Sequence, residues 1–463
     1  MSKDTTKDKL FLVQEQNKVL KSKVRSLKKK LKDTQESREN WKTKAKLLSP
    51  SSSSSSIFDG DKAKHHSFSV ILVTFCTTIQ SYGSMSLRSC FQVLICLQLA
   101  LGTSKRTPSY SSIRIWVCKV GKYRIDYQDF SQDKWIYWID ESIHIGNEKI
   151  LLVLGIAEKD VHFNKALCLS ELRILHMSVS TQWKGEDISP ILEDLKKRFP
   201  LSYIVSDEGA NLKKSYELSN SLHISDCTHA LTKGIEKAYK EKKLFKEFCS
   251  WAGSLRQKWY LNKDRQSCLP PNQRSKVRFA NLFPLVKWAK KQLDNWQLLS
   301  EELKLEFSFL KENEKWVINF WSIQEKLIKI SLLLKIQGYS KTNDLEIKAI
   351  LDTSETEEEI IFSTTVLNYL KILSEKIANK ENLVCCSDVI ESAFGKLKQK
   401  LSKSSAALTC FIFTLASIGG KYQAEEVKNA LETIKDRDVK KRPQKAQKRT
   451  ELVEKIVHFC PKN

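Results

Sequence analysis

Long apolar runs are scarce in this chain. The uncharged stretch 67–87 has only "SVILVTF" as a truly apolar part, and Thr77, Thr78, Gln80, Ser81, Tyr82, Gly83 and Ser84 interrupt the remainder. A membrane span needs about 20 mostly apolar residues, so none is expected here. No secretory leader is expected either, because the N-terminus is charged and polar. The twelve cysteines include no CxxC pair, no Cys/His group with zinc spacing and no regular framework. Cys76, Cys96 and Cys249 sit inside apolar runs. The cysteines therefore read as reduced, buried residues of an intracellular protein.

Acidic residues are also in short supply. There are 54 Asp and Glu against 78 Lys and Arg, a formal net charge of +24. A surplus of that size fits a polyanionic partner, most commonly nucleic acid, although a generally basic protein with no such partner shows the same balance. The 41% hydrophobic content is enough for several cores.

Residues 1–48 carry a heptad seam. Leu10, Asn17, Val24 and Leu31 occupy one core position, and Val13, Leu20 and Leu27 the other. This predicts a coiled coil that pairs two chains, with a lone solvated helix as the alternative. The serine run within 49–65 reads as a linker. In 66–128, "SMSLRSCFQVLICLQLALG" and "SYSSIRIWVCKVGKYRI" read as two helices around a basic turn. That is helix-turn-helix logic, with Arg114, Lys119 and Lys122 of the second helix facing DNA. Many helical hairpins look the same.

Residues 130–240 read as three hairpin-linked strands followed by αβαβα. "KWIYWID" is the first strand, "LSYIVSD" the fourth and "SLHISD" the fifth. A Gly146-Asn147 turn joins the first two strands. The expected class is α/β, a mixed sheet β1-β2-β3-α-β4-α-β5-α interrupted by an all-α insertion over 241–382. The last helices of the sheet domain fall in 383–425, and a basic tail in 426–463.

Asp140 ends the first strand and Asp207 the fourth. Ligand sites in open α/β sheets form at the carboxyl ends of strands. A lone acid that ends so apolar a strand is costly unless it has a task. The rivals are Glu141 and Glu208, and Asp207 also suits an Asx-type cap. Asp226 is well placed as a helix N-cap. Asp388 and Glu391 fit a capping box, followed by Lys396, Lys398 and Lys400, which suit a DNA backbone.

Strand order, acid placement and helical insert together resemble the ribonuclease H-like transposases and integrases, the DDE family, in the form found in bacterial insertion sequences. The blocks concerned are "WIDESIHIGNEKILLVLGI", "YIVSDEGANLKKSYEL", "DCTHAL" and "IESAFGKLK". They cover roughly 134–240 and 387–422. The resemblance implies a catalytic, metal-binding triad of Asp140, Asp207 and Glu391, holding two Mg²⁺ (or Mn²⁺) ions. Asp226 and His229 resemble the C/D-x-x-H signature of relatives with helical inserts, such as hAT-like elements, and would lie near the site. The implied activity is a DNA transposase that cuts transposon ends and joins the freed 3′-hydroxyl to target DNA. It would act as a dimer, DNA-associated in the cytoplasm. Alternatives are a catalytically inactive, dimeric DNA-binding protein and a nuclease of the same fold.

Overall fold

In the computed structural model of this chain, the described residues are 34–35, 38–39, 57–83, 85–127, 130–141, 148–272, 282–377, 380–401 and 413–440, with side chains excepted at 397–401, 415 and 440. The chain divides into a unit 1–60 and a unit 61–463. In the first, Thr34, Gln35, Arg38 and Glu39 are helical and exposed. The rest of the heptad seam and the serine run of the linker lie outside the described residues, as do the Gly146-Asn147 turn and most of the basic tail.

The second unit is built on a five-stranded sheet. Its strands are β1 Trp135–Glu141, β2 Lys149–Ala157, β3 Arg173–Ser180, β4 Leu201–Ser206 and β5 His223–Ser225, in the order β3-β2-β1-β4-β5. β1, β2 and β3 are antiparallel neighbours, whereas β1, β4 and β5 run parallel. The strands form where aromatic and β-branched residues concentrate, and β2 is buried along almost its whole length. The expected strand and helix order is therefore observed.

Alternation along the strands sorts their side chains onto two cores. Ile136 and Trp138 of β1, Tyr203 and Val205 of β4 and Ile224 of β5 face one core. Trp135, Tyr137, Ile139 and Ile204 face the other, which is closed by helices α4 Gly185–Arg198 and α5 Ala210–Leu218. The first face is covered by α6 Cys227–Tyr239 and by the helical insert.

The insert contains α7 Lys243–Trp259, α8 Phe283–Asp294, α9 Glu314–Gln337, α10 Lys341–Leu351 and α11 Glu357–Lys376, with two short helices over Glu301–Glu306 and Ser308–Glu312. Aromatic rings fill its centre: Trp259 and Trp288 both meet Phe307 edge-on, and Trp316 meets Phe320. It is not wholly helical. Gly338 ends α9 at φ +66, and a two-residue strand β6 Tyr339–Ser340 then pairs with β7 Asn382–Leu383. This ladder gathers the two ends of α10 and α11 and returns the chain to the sheet. Helix α12 Asp388–Leu401 follows.

The N-terminal helices need a larger correction. The short apolar run is itself a helix, α1 Val70–Tyr82, followed by α2 Leu87–Ala100 and α3 Tyr110–Asp126. Among the described residues no helix is long and apolar enough to cross a membrane. These helices do not stand apart as a DNA-binding module. α3 packs against α13 Phe413–Ala416, α14 Ala424–Thr433 and α15 Asp436–Lys440, so part of the expected tail is structural. Gly121 permits the contact, since a Cβ there would come within 1.8 Å of the Phe413 carbonyl oxygen. Arg124 binds both carboxylate oxygens of Glu426 at 2.7 Å and lies over the Tyr422 ring.

Candidate functional site: a row of carboxylates at the strand ends

Three adjacent parallel strands, β1, β4 and β5, run in register near their carboxyl ends. Trp138 pairs with Val205, and Val205 with Ile224. Two residues beyond each lie Asp140, Asp207 and Asp226. By the two-residue pleat all three belong to the face of Trp138, Val205 and Ile224, the face on which α6 packs. Sequence reading made Asp226 a cap near the site, not a member of this row. Its place there follows from the register of β5, which a three-residue strand does not advertise.

The same parity sets the rivals aside. Glu141 belongs to the opposite face and pairs with Lys149 at 2.9 Å. For Glu208, burial works to raise the carboxyl, but hydrogen bonds from Lys233 and Ser225 outweigh it and hold it at about 2. Both rivals are already neutralised by lysines.

Among the described residues Asp140 has no such partner. Its Oδ1 accepts the Glu141 backbone N–H at 2.7 Å. Burial, followed by the negative charge of Asp207, raises its pKa to about 7. Asp207 does not cap α5, where Gly209 takes that place. Instead its Oδ1 lies 2.9 Å from His229 Nδ1. Asp226 is 1% exposed and is the N-cap of α6. Its Oδ2 accepts the His229 backbone N–H at 2.8 Å and lies 3.0 Å from His229 Nδ1, and its Oδ1 accepts the Ser387 N–H at 2.7 Å. Hydrogen bonds to Asp207 and then Asp226 lift His229 to about 10, so its imidazole is charged at neutral pH. Asp207, Asp226 and His229 bring their ligand atoms within 4.8 Å of one another, close enough to hold a metal ion.

Glu391 approaches from α12. It sits at the surface, and partial burial of its carboxyl, then the charges of Asp226 and Asp207, raise its pKa. It also acts on Asp140. The helix is held to the sheet from below: Trp138 Nε1 donates to the Cys386 carbonyl at 2.9 Å and Cys227 N to the Cys385 carbonyl at 2.7 Å. The expected capping box is not what forms. The helix begins at Asp388, whose carboxylate takes the Lys335 ammonium.

No protein-family model matches the chain. No curated protein matches it either.

The lysines expected to meet DNA fare differently. Lys119 is a correction: its side chain is 5% exposed and pairs with Asp436 at 3.0 Å, so it supports the helical layer and presents no charge to a groove. Lys122 is half-buried, paired with Asp126 and set over Phe413. Arg114 is exposed and Lys396 half-exposed. The side chains of Lys398 and Lys400 lie outside the described ones.

Fit to Mg²⁺ follows from donor chemistry. The row and Glu391 supply hard carboxylate oxygens, the ligand class that ion takes. The raised pKa of Asp140 comes first from burial and then from the charge of Asp207, a setting in which a divalent ion would favour the ionised carboxylate.

Proposed function

We propose that this chain is a DNA transposase of the ribonuclease H-like, DDE class. The observation that carries the reading is the carboxylate row. Asp140 lies near the carboxyl end of β1, Asp207 directly follows its parallel neighbour β4, and Glu391 stands on the helix after a helical insert. Sheet order β3-β2-β1-β4-β5 with that placement supports the ribonuclease H-like assignment.

In this reading Asp140, Asp207 and Glu391 hold Mg²⁺ (or Mn²⁺). Such ions, when bound, activate an attacking water or 3′-hydroxyl and stabilise the leaving oxygen. Asp207 and Asp140 fix one side of that site from the rigid sheet, and Glu391 closes the other. Asp226 keeps α6 and α12 in place through the His229 and Ser387 N–H groups. His229 holds Asp207 in one orientation. The basic surplus supplies affinity for the phosphate backbone, which makes binding salt-dependent. End recognition is not assigned to the middle of α3, whose Lys119 is buried. Pairing through the heptads of 1–48 would bring two sites to two transposon ends.

The test uses labelled DNA carrying the sequences that flank the gene, with wild type beside Asp207→Asn and Glu391→Gln. Mg²⁺-dependent cleavage and strand transfer in wild type, lost in both variants with DNA binding retained, is the expected result. Variants that cut as well as wild type would overturn the acid assignment. Binding without cutting in all three would leave an inactive DNA-binding scaffold, and cutting without joining a nuclease.

A further inference from the structure

Beneath the carboxylate row lies a second group of donors, of another chemical kind. Cys227 is the first residue of α6, and Cys385 and Cys386 are separated from α12 by Ser387 alone. All three are buried. The Cys227 thiol interacts electrostatically with those of Cys385 and Cys386. The Sγ atoms of Cys227 and Cys386 and a carboxylate oxygen of Asp226 lie within 4.8 Å of one another. Their backbone is fixed independently by the Trp138, Cys227 and Ser387 hydrogen bonds already described. The donors therefore stay in place without the side chains having to hold one another.

We propose that Cys227, Cys386 and Asp226 bind one thiol-seeking divalent cation of the zinc class. The ion clamps the start of α12 to the start of α6. Two sulfurs with an oxygen suit a d¹⁰ ion of the zinc class and are poor ligands for Mg²⁺. Asp226 Oδ1 accepts one N–H and keeps a lone pair for the ion. Binding releases one proton from each ligating thiol to solvent. A metal displaces the proton outright. The closed position suits a structural ion, and the proposal stands whether or not the chain cuts DNA.

The experiment titrates Cd²⁺ into the metal-free full chain under a non-thiol reductant. The readout is the thiolate-to-cadmium charge-transfer absorption in the ultraviolet, which carboxylate sites do not produce. One equivalent should saturate it. Cys227→Ser and Cys386→Ser should each lose most of the band, whereas Cys249→Ser, in the insert, should keep it. Absence of a band, or a band unchanged in Cys227→Ser and Cys386→Ser, would show the thiols to be ordinary core packing. Should those variants not fold, zinc-edge X-ray absorption of the wild type decides. Sulfur neighbours at about 2.3 Å support the site, and a shell of oxygen and nitrogen alone refutes it.

Discussion

Asp140→Asn should stabilise the metal-free protein at neutral and alkaline pH. The pKa of Asp140 rises from 3.8 to about 7 in the fold through burial and the charge of Asp207. Below pH about 4 the group is protonated both folded and unfolded, and it contributes no difference. As pH climbs toward 7 the unfolded chain ionises it freely while the folded chain resists, so native stability falls. Three pKa units correspond to about 4 kcal/mol at 1.36 kcal/mol per unit. Asp140 retains some solvent exposure, so a gain of about 2–3 kcal/mol for the variant is more realistic. Asn keeps the acceptor for the Glu141 N–H, which isolates the charge. Glu391 is also raised and gives wild type a slope of the same sign, so the quantity to read is the difference between the two proteins. Thermal melts in a chelator from pH 4 to 8 supply it. The variant should match wild type at pH 4 and melt several degrees higher at pH 8. Mg²⁺ should raise the wild-type midpoint more than that of the variant. A variant less stable than wild type at pH 8 in chelator would refute the reasoning, because the carboxylate would then be stabilising the fold by itself.

Two further substitutions probe the supports of the site. Lys119→Ala should lower stability by about 1–3 kcal/mol, through lost packing and a stranded Asp436, while the salt dependence of DNA binding stays unchanged. A reduced salt slope would put Lys119 on the DNA after all. Trp138→Phe removes the donor to the buried Cys386 carbonyl and should cost about 1–3 kcal/mol in denaturant melts. It should also reduce cleavage without weakening DNA binding, since it frees the base of α12; a purely thermal effect with full activity would show that Glu391 is held by other contacts.

The strands were legible because each announces itself locally. "KWIYWID" and "LSYIVSD" alternate between two buried faces and end on a charge, and that pattern singles out Asp140 and Asp207 as candidates, with Glu141 and Glu208 as rivals. What the sequence could not show was which distant residues share a place. Asp226 reads as an N-cap and is one, and its membership of the row depends on pairing between β4 and β5. Cys227 and Cys386 stand far apart in the chain, so no ligand spacing announces them. Lys119 looks like a surface cation on an amphipathic helix until α14 and α15 cover it. Periodicity tells which face of a helix is covered, but not by what. The Asp388–Glu391 pair illustrates the converse: a convincing local motif gave way to a long-range partner, Lys335.

The packing of α3 against α14 and α15 has a bearing on how the molecule is made. At about 5–20 residues per second of synthesis, the roughly 300 residues between these helices delay their meeting by on the order of 15–60 s. Until then Trp116, Cys118 and Val120 of α3 have α1, α2 and, once it is made, β3 as cover, while the sheet and the insert, whose partners are nearer in sequence, can already form. A nascent chain would thus carry an unfinished apolar surface near its start for most of its time on the ribosome, a natural point of engagement for a chaperone.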